Sequence, residues 1–209
     1  MPTLARDTCT LHYELVGSPG PRVLLIQGVG VAGQAWSPQV RALADSHQLL
    51  TFDNRGLGRS TPAPPGPLTL EQMADDASAL LDAVGWDTCH VVGHSMGGVI
   101  AQRLALSSPR RVLSLVLICT VARGRDAVRF DLGTLWTGIR TSLGPRRGRR
   151  HAFLRIVYPE RFLESADRDA LAAEVGALFG HDLAVQPPIA MKQAMALRKH
   201  DTSAELSGL

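Results

Sequence analysis

Cysteine is scarce in this 209-residue sequence, which holds only Cys9, Cys89 and Cys119. Three scattered residues make no disulfide framework, no C-x-x-C occurs, and an odd count points to reduced thiols in a reducing compartment. Cys89 and Cys119 close apolar runs, where a free thiol is usually a small core residue. Long apolar runs are missing too. No segment reaches the ~18 uninterrupted apolar residues of a membrane span. The opening "MPTLARDTCTLHYEL" has no apolar stretch behind a positive charge, so a signal peptide is not expected and a cytoplasmic location is. Nor is there a strong excess of charge: the net value is +3, and the pI near 9.1 reflects scattered Arg rather than a basic tail. The one dense patch, Arg146-Arg147-Gly148-Arg149-Arg150, has no aromatic residues interleaved. It reads as a solvated loop, and no nucleic-acid partner is expected.

What is present is an ordinary globular composition, with hydrophobic residues at 45% and charged ones at 20%, so a packed core is expected rather than disorder. Strand-like and helix-like segments alternate over the first 120 residues. "LHYELVG" (11–17), "RVLLIQ", "HQLLTFD", "CHVVGHS" and "RVLSLVLICT" read as strands. Residues 34–45 and 97–107 read as helices. The clearest helix carries Leu70, Met73, Ala74, Ala77, Leu80, Leu81 and Val84 on one face, with Thr69 and Gln72 as a capping box and Gly85 as its stop. Near-continuous apolar strands between helices indicate an α/β fold, a mostly parallel sheet covered on both faces. After Cys119 the composition shifts to Arg, Ala and Leu, with helical spacing at 167–179 and again after Pro187-Pro188. "FLRIVYP" is ambiguous between strand and helix. The division expected is a core over residues 1–122 and a helical cap over 123–209.

Two motifs compete for the chemistry. In "VLLIQGVGVAGQAW", Gly28, Gly30 and Gly33 fall at G-x-G-x-x-G spacing, and Asp53 lies twenty residues beyond. That is the wording of a dinucleotide-binding turn. Glycine is 20 of 209 residues, however, so the spacing carries little weight. The glycines follow a second strand, and Asp53 runs on into a Gly-rich loop that a ribose-binding acid does not need. A P-loop is excluded, because Gln34-Ala35 stands where Lys-Ser/Thr would hold phosphates.

The second motif is Gly93-His94-Ser95-Met96-Gly97, or G-x-S-x-G. An apolar strand leads in and a helix leads out, so Ser95 falls on the turn between them, where a hydroxyl can project from the carboxyl edge of a sheet. A serine on such a sharp turn crowds the residues two before and two after it, which the glycines relieve. The helix after Ser95 points free N–H groups toward charge developing on a substrate oxygen.

"GHSMGG", preceded by "DNRGLGRS" and by a glycine turn after an earlier strand, resembles the α/β-hydrolase fold, in its branch of serine esterases, lipases and enol-lactonases. The resemblance implies a serine hydrolase acting by nucleophilic acyl transfer on a carboxylic ester or lactone, with no cofactor and no metal. It implies Ser95 as nucleophile, and the Val29 and Met96 N–H groups as oxyanion hole. Gly28, Gly93, His94 and Gly97 would form the supporting turn. A serine rather than an aspartate at 95 argues against the dehalogenase and epoxide-hydrolase branches. Gln27 stands where the family often has His. Asp53, Arg55, Gly56, Gly58 and Ser60 are expected to be a structural turn. Residues 123–209 resemble the family's cap, with Phe130, Trp136, Phe153, Tyr158 and Phe162 roofing an apolar pocket for a small ester-like substrate.

The family's order is Ser, then an acid, then His, the last two on later strands. Beyond Cys119 no two further buried strands are found. The chain is therefore expected to be an N-terminal portion without the triad acid and His. His151, His181 and His200 are weak substitutes, since the adjacent Asp182 and Asp201 point roughly 100° away on a helix. The strand at 112–119 is expected to expose an edge that could pair with another chain. The alternatives are a non-catalytic module that binds a small ligand, and the nucleotide binder of the glycine motif.

Overall fold

The structure is a computed structural model that describes residues 2–63, 65–127 and 140–208. Phe130 and Trp136 lie outside the described residues. Six strands form one sheet: β1 (Thr3–Ala5), β2 (Thr10–Gly17), β3 (Arg22–Ile26), β4 (Gln48–Phe52), β5 (Cys89–His94) and β6 (Val112–Ile118), in the order β1-β2-β4-β3-β5-β6. β1 pairs with β2, and β2 with β4, antiparallel; the other pairs are parallel. β1 escapes the sequence reading because three residues are too short to show a period of two.

Alternation along β3 and β4 sends side chains to two cores. Leu24, Ile26 and Leu50 join one cluster with α2 (Leu70–Ala83) and α3 (Met96–Ser107). Val23, Leu25 and Leu49 join another with Trp36, against which Val40 and Leu43 of α1 (Ser37–Leu43) pack. Both faces are thus covered, as period-two alternation between two apolar faces requires. Each fully buried Leu or Met contributes about 1.5–3 kcal/mol. α2 buries Leu70, Met73, Ala74, Ala77, Leu80 and Leu81. Its first turn is capped by Thr69, whose side chain accepts from the Gln72 N–H at 3.1 Å. The helix expected at 34–45 is split into a 3-10 turn, Gly33–Trp36, and α1, which carries Pro38 in its first turn.

Contacts divide the chain into two compact units, Met1–Ala127 with Pro188–Leu209, and Val128–Pro187. The second holds α4 (Arg146–Val157), α5 (Glu160–Ser165) and α6 (Arg168–Phe179) around Leu154, Leu163, Ala172, Val175 and Leu183. Phe153 and Phe179 meet edge to face at 5.8 Å. Here the Arg patch is solvated as expected but is not the loop expected of it. It forms the first turns of α4, because Ala152 and Leu154 bury one side of that helix while carboxylates take up the charge. Arg146 and Arg150 both reach Asp182 at 2.7 Å, and Arg147 and His151 reach Asp169. The Arg147 guanidinium, and then His151, pull the Asp169 carboxyl down to about 2. Arg150 holds Asp182 well below the usual carboxylate range. The ambiguous "FLRIVYP" resolves as the end of the same helix.

α7 (Pro188–Arg198) belongs to the first unit. Cys9 and Cys89 are buried, but Cys119 is exposed. It sits past the end of β6 with φ 48°, so the core position expected of it is not what the fold provides. Among the described residues no helix is long and apolar enough to cross a membrane.

Candidate active site

β5 ends at His94 and α3 begins at Met96, so a single residue turns the chain from strand to helix. That residue is Ser95, at φ 54° and ψ −121°. A non-glycine residue there is strained and persists only when its surroundings over-determine it. Three bonds do so. The Ser95 N–H donates to the Ile118 carbonyl at 2.9 Å, and the Ser95 carbonyl accepts from the Thr120 hydroxyl at 2.7 Å and the Gly98 N–H at 3.0 Å. The Ser95 side chain makes no capping bond to α3, which leaves its hydroxyl available.

Close packing explains the flanking glycines. A Cβ on Gly93 would land on the Gly97 carbonyl oxygen, and one on Gly97 would land on the Ile26 carbonyl oxygen. A Cβ on Gly28 would come 3.0 Å from the Ser95 Cβ and 3.5 Å from its Oγ. The turn after β3 therefore lies directly against the serine.

The amides of that turn have distinct fates. The Gly28 N–H donates to Gln27 Oε1 at 3.3 Å, the Gly30 N–H to Gln193 Oε1 at 2.8 Å, and the Val31 N–H to the Gly28 carbonyl at 3.4 Å. Between them the Val29 N–H donates to no described residue. The same is true of the Met96 N–H, the first of α3, which has no carbonyl a turn earlier in the helix to bond. Two amides without a partner among the described residues thus belong to the two turns that meet at Ser95.

The rest of the glycine motif serves the scaffold. Asp53 accepts the Gly33 N–H at 2.7 Å and the Arg59 N–H at 2.9 Å, so both its oxygens clamp backbone. A Cβ on Gly33 would sit 2.6 Å from the Phe52 carbonyl oxygen, so this glycine packs on β4. Asn54 ties the loop to the Gln27 carbonyl at 3.1 Å, and Ser60 Oγ donates to the Asp53 carbonyl at 2.6 Å. Arg55 is buried against Asp76.

Within the first unit, neither His94 nor His200 is hydrogen-bonded to Ser95 among the described contacts. His94 is half-buried, with Nδ1 lacking a partner among the described residues, and burial holds its pKa below the ordinary value. His200 is buried and reaches the Thr202 hydroxyl at 3.1 Å, which in turn donates to Gln102. Burial, then the nearby Arg103, lowers its pKa. His181 Nδ1 lies 3.0 Å from the Asp182 carbonyl, and His151 pairs with Asp169 at 2.8 Å. No group of three or more His, Cys, Asp or Glu among the described residues could hold a metal ion.

Sequence reasoning did not find Thr120 or Gln193. Thr120 had a usable signal, a polar residue just past the carboxyl end of the strand beside β5. Gln193 had none, since it meets Gly30 across 163 residues.

Comparison with known proteins adds four findings. The family model described as the alpha/beta hydrolase fold matches residues 21–181. A protein of Azorhizobium caulinodans named "Putative carbamate hydrolase RutD" is 40% identical over 129 residues, 62% of this chain and 48% of its own length. Its namesake in Caulobacter vibrioides is 34% identical over 204 residues, 95% of this chain and 73% of its own length. The matched stretch thus spans about half of the first relative. Among solved structures, the enol-lactonase from Burkholderia xenovorans superposes with a TM-score of 0.73 at 27% identity, over 99% of this chain and 77% of that one.

Proposed function

This chain belongs to the α/β-hydrolase fold family, and on that premise we propose that Ser95 is the nucleophile of an acyl transfer. The observation that carries the reading is the strained Ser95 turn, with two amides on the turns that meet there that lack a partner among the described residues. In the proposed reaction Ser95 Oγ adds to a trigonal carbonyl carbon, and its proton passes to a general base. The carbonyl oxygen, now negative, is held by the Val29 and Met96 N–H groups. Donors fixed before the charge develops need no reorganisation, which is why such pairs lower the barrier by several kcal/mol in this chemistry, about 2.7–4 kcal/mol per donor. Collapse expels the leaving group, and water then releases the acyl group from Ser95.

The base is a separate requirement. His151, His181 and His200 have partners of their own, and His94 Nδ1 has none among the described residues. We therefore assign the base and its orienting acid to none of these histidines. Free thiols at Cys9, Cys89 and Cys119 support a reducing, cytoplasmic setting.

The substrate class is an uncharged carbonyl with a departing heteroatom. An ester or lactone fits, and the Burkholderia enol-lactonase favours it. The carbamate in the names of the two relatives is the same chemistry with nitrogen on the carbonyl, and it is the second reading. Fluorophosphonate labelling followed by mass spectrometry tests the nucleophile: labelling confined to Ser95 and abolished in Ser95→Ala is the expected result. Saturable ligand binding with no labelling above Ser95→Ala would favour a non-catalytic binding module instead. Rates on a nitrophenyl ester, a lactone and a small alkyl carbamate then separate the substrate classes.

A further inference from the structure

Gln193 on α7 is fully buried, yet half of its side chain lacks a partner. Its orientation is not a free choice. The Gly30 N–H is a donor and needs an acceptor, so Oε1 must face it, at 2.8 Å. Nε2 is then left on the other side, where it has no partner among the described residues. A buried, unpaired amide is destabilising and calls for a reason. Met would fill similar space without an orphaned donor. Glu would keep the acceptor and have no donor to orphan. What Gln offers that neither does is an acceptor without a charge.

The place where that acceptor acts is the turn beside Ser95. Gly30 has φ 69°, and its amide and that of Gly28 are occupied by the side chains of Gln193 and Gln27. The Val29 N–H lies between these two fixed points. We propose that Gln193 is a positioning residue for the oxyanion turn: it holds the Gly30 amide from behind and thereby keeps the Val29 N–H aimed at the reacting oxygen. Neutrality is part of the role, because a carboxylate at this position opposes the negative charge that develops on that oxygen. The inference rests on the nucleophile and oxyanion assignments above, and it adds a residue that makes no contact with substrate.

Two variants of the full chain test it through the kinetics of fluorophosphonate labelling, with melting temperature measured alongside. Gln193→Met removes the acceptor at similar volume, and Gln193→Glu keeps the acceptor but adds charge. Both are expected to lower kinact by about 10–100-fold, less than the ~10²–10³ for removing an oxyanion donor outright, while KI stays close to wild type. Both also lower the melting temperature, because Met leaves the Gly30 N–H unpaired and Glu buries a charge. Loss in the chemical step without loss of binding is the signature of an interaction made in the transition state. A merely structural role predicts a lowered melting temperature with wild-type kinact for Gln193→Glu, or a loss carried by KI rather than kinact; either result overturns the proposal. Should Gln193→Met fail to fold, Gln193→Glu decides alone, a slowed kinact supporting the role and an unchanged one ending it. A wild-type chain that labels no more than Ser95→Ala overturns the nucleophile and the positioning role together. Wild-type labelling that both variants share overturns the positioning role by itself.

Discussion

Gly97 shows how tightly a single residue is fixed here. Its missing side chain lets α3 start against the β3 carbonyls, and a Cβ there would collide with the Ile26 oxygen and lie 2.6 Å from the Ile26 carbonyl carbon. Those atoms are backbone within a central strand, so they cannot swing aside as a side-chain tip would. Gly97→Ala is therefore expected to destabilise the fold by about 1–3 kcal/mol or more, the range for forced overpacking, as read from urea unfolding. Gly66→Ala is the control, because nothing lies within 4 Å of a Cβ at that exposed site. Its expected change is within about 0.5 kcal/mol. Equal effects at the two positions would remove the steric account of the G-x-S-x-G spacing. Ser95 and its glycines were legible in the sequence because they stand at a fixed short spacing between an apolar strand and a helix, although the backbone that Gly97 packs on, Ile26, lies far away in the chain. Gln193 meets the site from 163 residues away, and no local pattern encodes such a meeting.

Elements were legible to the extent that their periodicity was strong. α2 and the central strands carry dense apolar patterns, and the sheet order follows from parallel strands joined by helices. α4 is the counter-example. Its first turns are mostly Arg, and what makes it a helix is burial of Ala152 and Leu154 together with partners supplied by Asp169 and Asp182. Those acids come 22 and 32 residues after Arg147 and Arg150, so the patch read as a loop although it is a solvated helical turn. This arrangement has a pH signature. Asp169 falls from its ordinary 3.8 to about 2 on folding, and Asp182 is also lowered. A carboxyl lowered by folding contributes stability that is whole above its unfolded value and is lost as pH falls through its folded value. Helical signal from α4 and α6 is expected to hold from neutral pH to about 4 and to fall as pH approaches 2. Site-resolved NMR titration of the two carboxyls checks this. A midpoint near 3.8 for Asp169 would mean that these exposed pairs contribute nothing measurable.

For the molecule as a whole, the sheet has an unequal pair of margins. On one side β2 and the short β1 close it antiparallel. On the other, β6 pairs with β5, and among the described residues no strand lies beyond it. Leu113 is 60% exposed and Val116 47%, with Leu117 and Ile118 also exposed. A strand with open backbone groups and apolar side chains is a template for another strand. We expect this edge to associate with a further chain, seen as a sedimentation coefficient that falls on serial dilution and is lowered by Leu113→Lys. A single monomeric species at every concentration would count against that expectation.

The strand at that margin is also the one that grips the reactive residue. Ile118 takes the Ser95 amide and Thr120, just past the strand, the Ser95 carbonyl, so the tether of the serine is continuous with the outermost strand of the described sheet. A chain that docked at this margin would act on the proposed nucleophile through those two hydrogen bonds. Assembly and reactivity would then be coupled, and the labelling rate at Ser95 should itself vary with how crowded the solution is.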